Sequence, residues 1–292
     1  MKNKDNKKLI KWVTCGFNFV SAFIGPLAST IKIDCTKNGL FDLDQLKNIP
    51  FDNYDGVIYT NTFCQQTEIS ELVNYCEANN KFIVIDNATG LRDRCVNKQS
   101  YIPEIISLHH TKPWGFGEGG AIICDSSDAM LVRKLINFGA SKIDPIYSIY
   151  SGNKKLSDIS ASAILSRLAT YNQWSKFYLG QEKRIKSIIS DYSLPLKPLI
   201  NNRKTKSPLA YTPFVVENQE ITEEIIEKSV NITFRKYYRP FLYGQKINLK
   251  KNLPNAYELY SKILCISNNP ENSLKSESEI LSDLNALLVN KN

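Results

Sequence analysis

Two side chains of opposite charge follow short apolar runs that are neighbours along the sequence. Asp86 ends the run KFIVID at 81–86, and Lys112 comes shortly after the run IISLH at 105–109. Both runs are rich in β-branched residues, as is typical of strands that are covered on both faces of a sheet. Ligands of an open α/β sheet bind where the carboxyl ends of its strands meet the loops. We therefore expect Asp86 and Lys112 to lie at that edge.

Each residue also has an ordinary interpretation, since a single Asp can cap a helix and most loop lysines are exposed. Lys112, however, precedes Pro113, which disfavours helical backbone angles, and stands beside Trp114 and Phe116 in the sequence. Burial among such groups lowers the pKa of an ammonium and makes the amine a nucleophile that can form a Schiff base. An amine that holds an aldehyde, with a carboxylate that keeps a pyridine protonated, describes a site for pyridoxal phosphate.

Strands and helices alternate in the first half of the predicted structure. The runs GVIYT at 56–60 and GAIIC at 120–124 are further predicted strands, also covered on both faces. Between the first strands, the segment 67–80 has apolar residues at the spacing of one helix face. Ser126 is predicted to cap a helix that stops at Gly139. This order predicts a mainly parallel α/β sheet.

The second half of the chain has a different character. The segment 156–192 is predicted to form one long helix or two, starting at Ser157 as the cap. Smaller elements of an α+β portion follow it: a strand at 211–217, a helix at 222–230 and an amphipathic helix at 276–290. We therefore predict two domains, a large α/β domain at 1–170 and a small α+β domain at 171–292.

Composition excludes several classes of protein. The chain has 292 residues and a net charge of +8, but its basic residues are dispersed and form no aromatic–basic stripe, so we expect no nucleic-acid partner. No apolar run is long enough to span a membrane, and the N-terminus lacks the features of a secretory signal. The seven cysteines include no C-x-x-C pair, which argues against a disulfide framework or a metal site and fits the reducing cytoplasm.

Two segments resemble a known family. SLHHTKPWGFGEGGAII at 107–123 is similar to the Schiff-base segment of the DegT/DnrJ/EryC1/StrS sugar aminotransferases, which implies that Lys112 binds pyridoxal 5′-phosphate. IDNATG at 85–90 resembles the family's Asp-Ala-Ala-Gln segment. The resemblance implies that Asp86 partners the pyridine nitrogen and that Thr89 lies near the phenolic oxygen of the cofactor.

Other segments extend the resemblance. TCGFNFVSA at 14–22 places Phe19 at the position of the aromatic side chain that stacks on the cofactor ring, and Ser107 matches a serine that contacts the phosphate. SGNKKLSDISASAI at 151–164 resembles a segment whose Asn, here Asn153, reaches the phosphate in the neighbouring subunit. The resemblance thus implies a homodimer with shared active sites.

The C-terminal part of the chain resembles the same family at ITFRKYYRPFL, 232–242, and at LPNAYELYSKILCIS, 253–267. The resemblance therefore covers nearly the whole chain. It implies an α/β protein of the fold type I of pyridoxal-phosphate-dependent aminotransferases. Such a protein has a large domain with a mainly parallel sheet of the seven-stranded type and a smaller C-terminal α+β domain.

The implied reaction is the transfer of an amino group from glutamate to a keto group of a nucleotide-linked (dTDP, UDP or GDP) keto-deoxysugar. Such reactions serve the biosynthesis of surface polysaccharides or other glycans. Lys112 favours transamination, because relatives that remove a hydroxyl group have a histidine at this position. We expect His109 and Glu118 to contact the substrate.

One feature of the family is missing. Its members carry a Ser/Asn-Gly-Thr turn, which presents backbone N–H groups to the cofactor phosphate, upstream of the segment matched at 14–22. Here only MKNKDNKKLIK and two further residues precede that segment, so we expect an N-terminally short member. The alternative is a catalytically incompetent homologue that acts as a dimerisation partner. The presence of Asp86, Lys112 and Asn153 together favours the enzyme.

Overall fold

The computed structural model describes residues 10–66, 68–96, 101–139, 143, 145–201, 203–238 and 248–288. These residues form ten strands, which are β1 (Trp12–Cys15), β2 (Ile31–Ile33), β3 (Gly56–Thr60), β4 (Phe82–Asp86), β5 (Glu104–Ser107), β6 (Gly120–Ile123), β7 (Leu196–Pro198), β8 (Tyr211–Val216), β9 (Phe234–Arg235) and β10 (Ile263–Ser267).

The described residues also form helices between and after these strands. The α-helices are α1 (Leu43–Lys47), α2 (Ser70–Ala78), α3 (Ser126–Leu135), α4 (Pro145–Ser148), α5 (Asp158–Ala169), α6 (Tyr171–Asp191), α7 (Glu223–Ile226), α8 (Leu249–Asn252), α9 (Pro254–Lys262), α10 (Pro270–Ser273) and α11 (Glu277–Leu288). Short 3₁₀ helices lie at Val20–Phe23, Gly25–Leu27, Phe51–Asn53 and Thr62–Cys64. No helix in the described ranges is long and apolar enough to cross a membrane.

The first sheet has the strand order β2-β1-β3-β4-β5-β6. Neighbouring strands are parallel except for β6, which is antiparallel to β5. The central strand β3 is buried at every position. The mainly parallel α/β sheet is thus confirmed, and the described residues contribute six strands to it, where the resemblance implied a sheet of the seven-stranded type.

Two local predictions around β6 are wrong. This strand is not covered on both faces, because it lies at the edge of the sheet and leaves Ile122 exposed opposite Ile105. The cap of α3 is Asp125, whose carboxylate accepts a hydrogen bond from the N–H of Asp128 at 2.7 Å. Asp125 lies one position before Ser126, and its carboxylate accepts hydrogen bonds more strongly than the Ser126 hydroxyl, so the helix begins one residue earlier than predicted.

The second sheet is antiparallel, with the order β7-β8-β10-β9. Apolar side chains of α6 and α11 pack against it and form a separate core, represented by Ile185, Phe214, Leu264 and Leu284. The predicted helical segment before this sheet is confirmed as two helices, and the Ser157 hydroxyl caps the first, α5. The domain boundary after residue 170 stays a prediction.

The two sheets are joined by a common core and by a buried acid. Val13 and Ile85 of the first sheet belong to the same apolar cluster as Cys265 of β10. The Asp34 carboxylate, which follows β2, accepts hydrogen bonds from the backbone N–H groups of Asn255 and Ala256 at the start of α9, both at 2.9 Å. Acceptance of otherwise unpaired N–H groups at a helix start stabilises this attachment.

Candidate active site

A cavity of about 520 Å³ lies where the carboxyl ends of β3, β4 and β5 face the second sheet. Seven of the eight predicted site residues line this cavity: Phe19, Asp86, Thr89, Ser107, His109, Lys112 and Glu118. The eighth, Asn153, does not line it. The tertiary structure therefore brings together side chains that come from three separate segments of the sequence.

Asp86 is the last residue of β4 and lies deep in the cavity. One of its carboxylate oxygens, Oδ1, accepts a hydrogen bond from the N–H of Ala88 at 3.0 Å. Burial raises the pKa of Asp86, while the Ala88 N–H and the charge of Lys112 partly oppose this rise. Within the described part of the chain, no cation lies at ion-pair distance from Asp86. This carboxylate thus remains available to a proton or a positively charged group in the cavity.

Lys112 lies on the turn after β5, at the same edge of the sheet. Its backbone N–H donates to the carbonyl of His109 at 2.9 Å, and its own carbonyl accepts from the N–H of Gly115 at 3.0 Å. Burial lowers the pKa of Lys112, the charge of Asp86 opposes this effect, and the charge of Arg235 adds to it. More of the amine is therefore unprotonated near neutral pH than in a surface lysine.

The turn that holds Lys112 is tightly packed. The indole N–H of the fully buried Trp114 donates to the carbonyl of Ser107 at 2.8 Å. A Cβ added at Gly115 would lie 1.8 Å from the carbonyl oxygen of His109, so a side chain cannot fit there. These contacts restrain the backbone on both sides of Lys112, which positions its amine in the cavity.

The other predicted residues lie around this pair of charges. Phe19 is half exposed into the cavity, with its ring centroid 6.4 Å from that of Tyr238. The Thr89 hydroxyl donates to the carbonyl of Asn61 at 3.2 Å. The Ser107 hydroxyl oxygen accepts a hydrogen bond from the N–H of His109 at 3.3 Å. The cavity thus combines an aromatic face with hydroxyl groups and oppositely charged side chains.

His109 and Glu118 form a pair at the wall of the cavity. The Nε2 atom of His109 lies 3.1 Å from a carboxylate oxygen of Glu118, and the Nδ1 atom lies 2.8 Å from the Thr111 hydroxyl. Both nitrogens of the ring are therefore engaged, while Glu118 remains largely exposed. The position is compatible with the predicted contact to a substrate, which stays a prediction.

A buried polar network below the cavity was not predicted from the sequence. Glu104 is fully buried and accepts hydrogen bonds from Arg94 Nε at 2.8 Å and from Asn87 Nδ2 at 2.6 Å. The amide oxygen of Asn87 accepts in turn from Asn61 Nδ2 at 3.0 Å. The network fixes the loop that begins at Asp86. An acid inside the apolar run PEIISL was the available signal for it.

Further cavity residues come from the second sheet and the segment after β9. They are Tyr211, Arg235, Tyr237 and Tyr238. The sequence analysis used the segment ITFRKYYRPFL only to establish the resemblance and gave no role to its members. The signal that could have found them is a cation flanked by aromatic residues in that segment.

Comparison with known proteins identifies the family of this chain. The model of the DegT/DnrJ/EryC1/StrS aminotransferase family matches residues 28–285. The dTDP-4-amino-4,6-dideoxy-D-glucose transaminase of Shigella dysenteriae is 26% identical over 176 residues, which are 57% of this chain and 47% of the relative. The chain thus spans about half the length of this curated relative.

Solved structures show the same fold. PseC of Helicobacter pylori, an aminotransferase of pseudaminic acid biosynthesis, has a TM-score of 0.77 at 17% identity, with 98% of this chain and 81% of that chain covered. A DegT/DnrJ/EryC1/StrS aminotransferase from Brucella abortus has a TM-score of 0.72 at 19% identity, with 95% and 78% covered. The fold is that of the type I pyridoxal-phosphate-dependent aminotransferases.

The cofactor of these enzymes, pyridoxal 5′-phosphate, is compatible with the residues in the cavity. Lys112 has an amine of lowered pKa that would hold the aldehyde, and Asp86 has a carboxylate without a direct ion pair among the described residues that would face the ring nitrogen. Phe19 lines the same cavity and would offer an aromatic surface to the ring. The family model covers most of the sequence, and the fold and the cavity agree with it. The chain therefore belongs to the DegT/DnrJ/EryC1/StrS aminotransferase family.

Proposed function

We propose that this protein is a pyridoxal-phosphate-dependent aminotransferase that transfers an amino group from glutamate to the keto group of a nucleotide-linked keto-deoxysugar. The observation that carries the proposal is the presence of Lys112 and Asp86 in one cavity, each with a pKa shifted by burial. Family membership supports the reaction type. The name of the Shigella relative, a transaminase of a dTDP-linked sugar, supports the substrate class.

Each cavity residue has a distinct task in this proposal. Lys112 holds the cofactor through its amine and, once released by the amino donor, moves a proton at the reacting carbon as general base and acid. The bound cofactor supplies an acceptor for the electrons of that carbon. Asp86 keeps a proton on the ring nitrogen of the cofactor. Phe19 packs on the ring, Thr89 lies near its phenolic oxygen and Ser107 contacts the phosphate.

The cellular role follows from this chemistry. Amino sugars attached to nucleotides are precursors of polysaccharides and other glycans, so we place the enzyme in their biosynthesis. All seven cysteines are free thiols in the structure, as the reducing cytoplasm would keep them, and the proposal places the enzyme there. The alternative of an incompetent homologue does not account for a paired amine and carboxylate with perturbed pKa values in one cavity.

Covalent trapping tests the site. The protein is incubated with pyridoxal phosphate, reduced with borohydride and digested, and the modified peptide is identified by mass spectrometry. We expect one adduct on Lys112, and none on this peptide in the Lys112→Arg variant. Absence of any adduct at saturating cofactor would contradict the proposal. Transfer from ¹⁵N-glutamate to a panel of dTDP-, UDP- and GDP-linked keto-deoxysugars then tests the reaction.

We also propose a homodimer with shared active sites. Asn153 is exposed and lies outside the cavity of its own chain, so it is available to the active site of a neighbouring chain. Large apolar side chains are exposed on the same part of the chain, including Phe138, Ile149, Ile159 at 79% and Leu165. Covering such a surface with a second copy removes apolar area from water, which stabilises the association.

A mixing experiment tests whether the sites are shared. The variants Lys112→Ala and Asn153→Ala, each with little activity alone, are unfolded, mixed in equal amounts and refolded together. A mixed dimer then has one site without either defect, so about a quarter of the wild-type activity should return. Refolding of each variant by itself provides the control. A wild-type protein that sediments as a monomer would contradict the shared site. So would mixed dimers that form as readily as wild-type dimers but recover no activity.

A further inference from the structure

Both histidines of the chain lie side by side on the turn that precedes Lys112. His109 and His110 are the only histidines in the sequence, and their ring centroids are 4.0 Å apart. The backbone N–H of His110 donates to the carbonyl of Gly117 at 2.8 Å, which folds the segment back on itself. This fold places Glu118, the residue after Gly117, beside the two rings.

These three side chains bring potential metal ligands close together. One ring nitrogen of each histidine and one carboxylate oxygen of Glu118 all lie within 4.8 Å of one another. The Nε2 atom of His109 lies 3.1 Å from a carboxylate oxygen of Glu118. A zinc ion holds nitrogen and oxygen ligands at about 2.0–2.2 Å, so the ligand atoms around it are about 3–4 Å apart. His110 and Glu118 are exposed, so small rotations of their side chains can bring the ligand atoms to that spacing.

The ring of His109 has a partner on the nitrogen that faces away from Glu118. Its Nδ1 atom lies 2.8 Å from the Thr111 hydroxyl. The backbone N–H of Thr111 donates to the same Nδ1 at 3.2 Å, which suits the tautomer with its proton on Nε2. Binding of an ion exchanges this tautomer for the one with its proton on Nδ1, which the Thr111 hydroxyl accepts, so that Nε2 offers its lone pair. Ligating histidines are commonly oriented by such a partner on their other nitrogen.

The chemistry of this donor set indicates which kind of ion it takes. Two imidazole nitrogens and one carboxylate oxygen suit Zn²⁺, which binds three protein ligands and leaves its fourth position to water or another small ligand. Mg²⁺ prefers six oxygen ligands and is a poor match. We propose that His109, His110 and Glu118 bind one divalent ion of the zinc class at the rim of the cavity. The cysteine pattern gave no sign of such a site, because none of its ligands is a cysteine.

The position of the site gives the ion an effect on activity. His109 and Glu118 line the cavity that contains Lys112, whereas His110 lies outside its lining. An ion that coordinates His109 and Glu118 holds both side chains and occupies the space between them and His110. It therefore opposes entry of a substrate that needs these two residues, and zinc acts as an inhibitor. Binding of the ion is independent of the proposed function, and only the inhibition rests on it.

Calorimetry with Zn²⁺ tests the site without turnover. Zn²⁺ is titrated into the purified protein, free of any histidine tag, and we expect one ion per chain. Loss of a group that only orients a ligand weakens metal binding by about 10–100-fold, so His110→Ala, which removes a ligand itself, should weaken it at least about tenfold. Glu118→Gln should have a similar effect, because it removes the charged oxygen but keeps the size of the side chain.

Cys124 provides a control for zinc bound to a thiol. Six of the seven cysteines are buried and Cys124 is partly exposed, so Cys124→Ser removes the accessible competitor and should leave the affinity for Zn²⁺ unchanged. Mg²⁺, titrated in parallel, should not distinguish the wild type from His110→Ala. Wild-type protein that binds no Zn²⁺, or equal affinities in the wild type and His110→Ala, would overturn the assignment.

A second measurement tests the inhibition. Amino transfer is followed at buffered concentrations of free Zn²⁺, and each rate is compared with that of the same protein without zinc. The zinc concentration for half inhibition should rise in His110→Ala by the factor found in calorimetry. Equal inhibition of both proteins would contradict an inhibitory role for this site. If the wild type transfers no amino group, the proposed function fails, whereas the calorimetric result still decides whether the ion binds.

Discussion

Two pairs of opposite charges lie at the same edge of the first sheet, and their surroundings differ. In the first pair, the fully buried Glu104 accepts hydrogen bonds from Arg94 and from Asn87. In the second pair, Asp86 accepts one backbone hydrogen bond and lies near Lys112 without a direct ion pair. Protein groups satisfy the charges of the first pair by hydrogen bonds, whereas both residues of the second pair line the cavity.

This difference separates a structural pair from a reactive one. Hydrogen bonds and a close cation offset the desolvation cost of Glu104, so its charge is stable in the fold. Asp86 and Lys112 are desolvated with less compensation, which raises the pKa of the acid and lowers the pKa of the amine. Groups with pKa values perturbed in this way are poised for proton transfer and nucleophilic chemistry.

Removing the amine should have the largest effect on activity. We expect Lys112→Ala to lower the rate of amino transfer by at least about a thousandfold, because no other residue can replace a covalent nucleophile. The melting temperature should change little, since this side chain forms no ion pair within the described residues. Amino transfer is measured with ¹⁵N-glutamate, and Lys112→Arg, which keeps the charge, serves as control. Activity above a tenth of wild type would contradict the role of Lys112.

Neutralising the acid of the same pair should have the next largest effect. Asp86→Asn is expected to lower the rate about a hundred- to thousandfold, by loss of the preorganised charge that holds the proton on the cofactor ring. The borohydride-trapped adduct on Lys112 should still form, because the amine is intact. A variant that traps cofactor normally and keeps full activity would show that Asp86 is not the partner of the ring nitrogen.

Loss of the ion pair between Glu104 and Arg94 should lower the stability of the fold. Glu104→Ala leaves the partly buried Arg94 and the buried amide of Asn87 without their acceptor, so it should lower the free energy of unfolding by about 3 kcal/mol, measured by urea denaturation. Asp44→Ala removes an exposed partner of Lys47 and should cost at most about 1 kcal/mol, which makes it the matched control. Equal losses in the two variants would mean that Glu104 is not an essential structural acid.

The smallest expected effects are shifts in the pH dependence of cofactor attachment to Lys112. Only the unprotonated amine of Lys112 reacts, and its pKa lies below the ordinary 10.5, so cofactor attachment should reach half its maximal rate at a lower pH than for a free lysine. Since Asp86 raises and Arg235 lowers this pKa, Asp86→Asn should move the profile to lower pH and Arg235→Gln to higher pH. Visible absorbance during cofactor addition measures each profile. Shifts in the same direction would contradict this arrangement of charges.

Much of the site was predictable because its key residues follow strands that the local pattern identifies. The runs before Asp86 and Lys112 are short and apolar, and adjacent parallel strands end at one edge, so their proximity followed from the order of elements. The local errors arose where that pattern is weak. The run at β6 is apolar although it lies at the sheet edge, and Asp125 and Ser126 are both acceptable helix caps.

The sequence by itself determined the α/β class, the residues at the strand ends and the likeness to an aminotransferase family, since each depends on spacing over a few residues. Only the tertiary structure decided that Glu104 forms an ion pair with Arg94 and that Arg235 lines the same cavity as Lys112. Burial, ion pairing and the sharing of a cavity depend on which distant segments pack together. No local pattern in the sequence predicts that Arg235 of β9 reaches the cavity at the carboxyl ends of the first sheet's strands. This arrangement places a second cation in the candidate active site.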